Sequence, residues 1–149
     1  PNDVRVGNTW LSVDTPAVAH EQGMLLVRQN TRLLADNIMR VGAEEARRLV
    51  KKGRIDPKQP YDWCLPHLSS MFFRDKLVDA MREVGVDIPV ERWFTNLTTK
   101  GNIGAASFYV ILHEALEKGL FKPGDRILGI VPESGRFIMS FMQFTCVEP

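Results

Sequence analysis

A histidine and an asparagine stand out in this chain because each follows an apolar run of strand length and precedes a helical pattern. His67 lies in PHLSS (Pro66 to Ser70) after YDWCLP (Tyr61 to Pro66), and Asn102 lies in GNIGAAS (Gly101 to Ser107) after RWFTNL (Arg92 to Leu97). Imidazole and carboxamide share one use: both are neutral N–H donors, so together they can bind an oxyanion without cancelling its charge. Groups of this kind gather at the carboxyl edge of a sheet, where loops line clefts and rigid elements hold them. Taken singly, each has a plainer explanation, His67 as a satisfied histidine near a helix cap and Asn102 as a capping residue.

Other reactive side chains offer less. Cys64 falls inside the apolar run with no basic neighbour to lower its pKa, which makes it a core residue and a poor nucleophile. Cys64 and His67 have half the spacing of a zinc site, but the remaining His20, His113 and Cys146 are scattered, so no metal is expected. The cysteines lie too far apart in sequence to make a disulfide framework. His113 sits amid Leu112 and Ala115 and is expected to pack.

The elements that must position His67 and Asn102 can be read from periodicity. Residues 29–52 predict a long helix, with Leu33, Leu34, Ile38, Val41, Ala46, Leu49 and Val50 near helical spacing and Gly53 at its end. Arg47, Arg48, Lys51 and Lys52 cluster in its last turns, where cations complement the helix dipole. That run reads as a solvated helix end or as a contact for an acidic protein. A strand over 61–65 follows, then a helix over 69–84 capped by Ser69 or Ser70, a short strand over 92–95 and a helix over 102–118. An apolar strand over 126–131 and a last strand over 137–147 close the chain, with Gly135 between them. In that last strand the Met and Phe residues from Phe137 to Phe144 read as core or as the wall of an apolar tunnel. With a weak strand pattern in VRVGNTWLSV near the start, the order is β-α-β-α-β-α-β-β, an α/β chain with a mixed sheet covered by helices.

These motifs in this order, followed by KPGDRILGIVPESGRF (Lys122 to Phe137), resemble the C-terminal half of type III β-ketoacyl-acyl carrier protein synthases, thiolase-fold condensing enzymes. The resemblance implies one half of a thiolase-like fold, with residues 1–28 a leading segment from the preceding part of the subunit and 29–149 the C-terminal domain. It implies His67 and Asn102 as two members of a Cys-His-Asn triad whose cysteine lies on the N-terminal half, so that this piece alone is inactive. Ser134 and Gly135 take the place where a backbone N–H would complete an acyl oxyanion hole. Acyl and malonyl thioesters of acyl carrier protein or coenzyme A are the implied substrates, the homodimer the implied assembly, and no cofactor is implied. Leu68, Ser69 and Ser70 after His67, PESGRF in place of a glycine run, and 35 positions between His67 and Asn102 depart from the common fatty-acid-initiating members. Those departures point toward specialised lipid pathways. Two other readings stay open: a non-catalytic thiolase-fold partner subunit, and an acyltransferase that uses histidine as general base without condensation.

Composition excludes several classes. With 44% hydrophobic and 25% charged residues over 149 positions, the chain has the make-up of one ordinary soluble domain. Nineteen basic against eighteen acidic residues leave no electrostatic footprint for nucleic acid. No apolar stretch is long enough to span a bilayer and PNDVRVGNTW has no signal-peptide pattern, so a cytoplasmic protein is the expectation. A start at Pro1 fits an excised piece.

Overall fold

A computed structural model describes residues 15–23, 31–133 and 137–148. The sheet is mixed and three-stranded, in the order β1 (Trp63–Pro66), β2 (Arg126–Glu133), β3 (Ile138–Thr145). β1 and β2 run parallel with Pro66 opposite Ile130, and β2 pairs antiparallel with β3 from Arg126 opposite Thr145 to Glu133 opposite Ile138.

Strand alternation sends side chains to two cores. Cys64 of β1 and Leu128 and Ile130 of β2 join the cluster under α2 (Thr31–Lys51) and α3 (Arg74–Glu83). Trp63 and Leu65, with Ile127 and Val131, join the cluster under α5 (Ser107–Glu117). A strand pair buried on both faces reads as a continuous apolar run, which is what 61–66 and 126–131 are. α2 turns Leu34, Ile38 and the small residues Gly42, Ala43 and Ala46 inward and packs beside α3. On the opposite face Gly129 is the point of closest approach, since a Cβ there would lie 2.5 Å from Phe108 Cε2.

Short elements complete the path. α1 (Pro16–Glu21) opens with Thr15, whose Oγ1 accepts from Val18 N–H, and with Pro16 in the first turn, where its missing N–H costs nothing. Before α3 the chain makes a 3-10 turn, Met71–Phe73, capped by Ser70. α4 (Leu97–Lys100) is a single turn that the sequence pattern did not predict.

The α/β class and the mixed sheet covered by helices are as expected, and three elements differ in extent. The strand expected over 92–95 is a 3-10 turn, Val90–Arg92, followed by one parallel bridge between Trp93 and Cys64. Its apolar residues are satisfied by burial instead of a ladder: Trp93 packs in the core with Nε1 donating to Ile88 O at 3.1 Å. The helix expected from Asn102 begins at Ser107, after a 3-10 turn over Gly104–Ala106, and the one expected from 69 begins at Arg74. The strand pattern in VRVGNTWLSV lies outside the described residues, as do Ser134 and Gly135.

Candidate active site

β1 does not release the chain at Pro66. His67 N–H donates to Ile130 O at 2.8 Å, so the parallel ladder holds this backbone one residue past the strand. The residue is 5% exposed. Its Nδ1 is buried with no hydrogen-bond partner among the described residues, and burial pushes the imidazole pKa below its ordinary value. A neutral ring with Nδ1 in that position favours the tautomer protonated on Nε2, because a buried N–H without an acceptor is the rarer and costlier orphan. In that tautomer the ring has its one N–H donor at Nε2.

Asn102 is exposed, in the loop between α4 and α5. Its Oδ1 accepts from Gly104 N–H at 2.9 Å. A backbone donor can only meet the amide oxygen, so this bond fixes the carboxamide and leaves Nδ2 to donate elsewhere; it has no hydrogen-bond partner among the described residues. The turn needs Gly104 at φ +67°, where a side chain is strained. Ser107 Oγ accepts from Ile103 N–H at 3.1 Å and secures the entry to α5. Asn102 was expected at a helix N-terminus, yet α5 starts five residues later. A helix dipole fades within its first turn, so Asn102 stands outside the reach of the α5 dipole.

His67 and Asn102 line the same cavity, about 270 Å³ in volume. Leu34, Ile38 and Met39 of α2, Phe73 and Leu77, and Met139 of β3 supply its apolar wall, and Ser69 and Glu133 join the polar pair. Met139 therefore lines the cavity and, like Phe137 and Phe141, packs on the core, while Phe144 stacks on Phe108.

The remaining candidates lie elsewhere. Cys64 is fully buried, and burial pushes its thiol well above the ordinary range, so it cannot supply a thiolate. Among the described residues no group of three His, Cys, Asp or Glu side chains could hold a metal. His113, expected to pack, is on the outer face of α5 with Nε2 3.4 Å from Glu117. Arg48 pairs with Glu45 and Arg47 reaches Glu83 of α3 at 3.6 Å, the behaviour of a solvated helix end. Among the described residues no helix is long and apolar enough to cross a membrane.

Sequence reasoning missed Glu133. The signal was present: Glu133 follows the predicted strand at its carboxyl end, the same position that drew attention to His67. The strand was expected to end at Val131, and Pro132 stands between that end and Glu133. Ile130 O meets β1 on one side of β2, and two residues later Pro132 turns its nitrogen to that side, where β1 has already ended. No ladder bond is lost, and β2 runs on to Glu133.

Residues 48–140 match the family model 3-oxoacyl-[acyl-carrier-protein] synthase III C terminal. The chain belongs to this family. The chain is 30% identical over 127 residues to the β-ketoacyl-[acyl-carrier-protein] synthase III of Aquifex aeolicus, covering 85% of this chain and 39% of that protein. The crystal structure of the Aquifex aeolicus synthase matches with a TM-score of 0.59 at 28% identity, over 73% of this chain and 33% of that one. The Pseudomonas aeruginosa synthase III, FabH, matches 99% of this chain and 44% of its own with a TM-score of 0.70; at 15% identity that likeness shows the fold. The chain thus spans about two fifths of the length of the Aquifex aeolicus relative. It is a thiolase-fold member of a condensing-enzyme family.

Proposed function

We propose that this domain supplies the enolate-stabilising pair of a decarboxylative Claisen condensation, joining an acyl thioester to a malonyl thioester in fatty-acid or specialised lipid synthesis. The nucleophilic cysteine belongs to an N-terminal half, acyl carrier protein or coenzyme A carries the substrates, and the complete enzyme works as a homodimer. One observation supports this most: a buried, neutral His67 and an Asn102 whose Nδ2 has no hydrogen-bond partner among the described residues line one cavity with an apolar wall.

Loss of carbon dioxide from a malonyl thioester leaves an enolate whose charge sits on the thioester oxygen. His67 Nε2–H and Asn102 Nδ2–H donate to that oxygen, each worth about 10²- to 10³-fold by analogy with oxyanion-hole donors. The enolate carbon then attacks the acyl carbonyl on the cysteine, and the cysteine sulfur leaves. Ser134 and Gly135 are assigned the backbone donors for the acyl oxygen.

The test separates the half-reactions on this domain joined to its N-terminal half. His67→Ala is expected to abolish release of labelled carbon dioxide from a malonyl thioester while mass spectrometry still finds slow acylation of the cysteine. The donors act in the decarboxylation transition state, whereas thioester exchange draws on thiolate character. Decarboxylation at the parent rate would favour the acyltransferase reading, and absence of a cysteine on the N-terminal half would favour the partner-subunit reading.

A further inference from the structure

Asn96 stands at the head of α4 and does not cap it. An asparagine in that place ordinarily turns its side-chain oxygen onto the N–H groups of its own helix, yet α4 has no side-chain cap. The amide reaches across to α5 instead, where Asn96 Nδ2 donates to Glu114 Oε2 at 2.7 Å. The residue is buried. Its carbonyl starts α4, accepting from Lys100 N–H at 2.8 Å and from Thr99 N–H at 3.0 Å.

The segment held by this bond is the one that carries Asn102. Upstream, Phe94 N–H donates to Cys64 O at 3.0 Å, which ties the segment to β1, the strand that delivers His67. Downstream, α4 and Gly101 lead straight to Asn102, and Ile103 N–H then donates to Ser107 Oγ at 3.1 Å. Ser107 and Glu114 lie two turns apart on one face of α5, about 10 Å along its axis. The loop bearing Asn102 is thus fastened on both sides to one helix. Glu114 is itself held, since its other oxygen accepts from Lys118 Nζ at 2.9 Å and that ammonium stands 5.3 Å from the centre of the Phe94 ring. The bond from Asn96, with the one from Lys118, keeps its carboxyl below the ordinary carboxylate range, so it acts as acceptor only and fixes which end of the Asn96 amide faces it.

We propose that Asn96 is a positioning residue for the condensation: through Glu114 it locks α4 against α5 and so sets where Asn102 Nδ2 meets the enolate oxygen. The proposal rests on the reading of Asn102 as a donor to that oxygen. Asn96 does not line the cavity, so its effect on the reaction passes through the placement of Asn102. A misplacement of about 1 Å can cost about 10²-fold in rate. Thioester exchange onto the cysteine makes no use of Asn102 and is indifferent to such a shift.

The experiment uses this domain joined to its N-terminal half and reads the ratio of carbon dioxide release from labelled malonyl-coenzyme A to acylation of the cysteine by butyryl-coenzyme A. Loss of folded protein lowers both rates together and leaves the ratio alone. N96D sets a second carboxylate against Glu114 and is expected to lower the ratio by about 10- to 10²-fold. E114A removes the acceptor from a half-buried position and is expected to move the ratio the same way. In N96D/E114Q the bond re-forms with donor and acceptor exchanged, and most of the ratio should return. In an N102A background N96D should cost nothing further, because the group it misplaces is gone. An unchanged ratio in N96D and E114A, no recovery in N96D/E114Q, or an equal fold loss from N96D with and without N102A overturns the role of Asn96; a lowered ratio in N102A then leaves the donor reading standing. N102A at the parent ratio overturns the donor reading, and the role of Asn96 falls with it.

Discussion

At the residue scale, His67 couples the chemistry of the site to the stability of the chain. Burial lowers its pKa, so between the folded value and about 6.5, the ordinary value, the unfolded chain binds more protons than the folded one. Stability is therefore intact above about pH 6.5 and falls as pH drops below it, by up to about 1.4 kcal/mol per unit, until the folded pKa is passed. Urea denaturation of this chain across that range should show the fall, and His67→Gln should flatten it. An unchanged slope in the variant would mean that another group carries the dependence. Asn102→Ala should behave like His67→Ala in the half-reactions, losing about 10²- to 10³-fold in carbon dioxide release with cysteine acylation retained. Gly104→Ala should lower that rate as well, because its positive φ sets the turn that orients the carboxamide.

At the scale of elements, close packing decides the tolerance of the sheet. Gly129→Ala would drive a methyl group into the Phe108 ring on α5, and an overpacked core of this kind should cost about 1–3 kcal/mol. A drop in thermal midpoint would register it, whereas an unchanged midpoint would show that α5 can shift without penalty. The same elements show what a single sequence can reveal. His67 was legible because an apolar run that stops at a polar residue marks the end of a buried strand, whereas Asn102 follows a 3-10 turn, a single bridge and α4. The extent of the elements was less legible. Trp93 and Phe94 look like strand residues, yet burial of Trp93 and its bond to Ile88 O satisfy that segment with a single bridge. Gly104 at positive φ forces a 3-10 turn where apolar periodicity alone suggests continuous helix. Glu133 was missed because the strand was expected to end at Val131, whereas β2 runs on through Pro132, beyond the end of β1.

At the scale of the whole molecule, α5 is apolar beyond the face it buries. Phe108, Ile111 and Ala115 pack on the sheet, while Tyr109 and Leu116 are 69% and 57% exposed on its other side. A helix apolar on both faces belongs between layers. This chain alone should therefore self-associate, with a light-scattering mass that rises with concentration; a strict monomer at high concentration would argue that the exposed face needs no cover. The proposed catalysis, by contrast, calls for the chain joined to an N-terminal half, and there the proposed pairing of His67 with Asn102 is open to direct measurement. A double-mutant cycle on carbon dioxide release compares His67→Ala, Asn102→Ala and the double variant. Two donors serving one oxygen in one transition state should be non-additive, the double variant losing clearly less than the product of the single losses. Independent, multiplicative losses, or a parent rate in either single variant, would contradict a shared oxyanion.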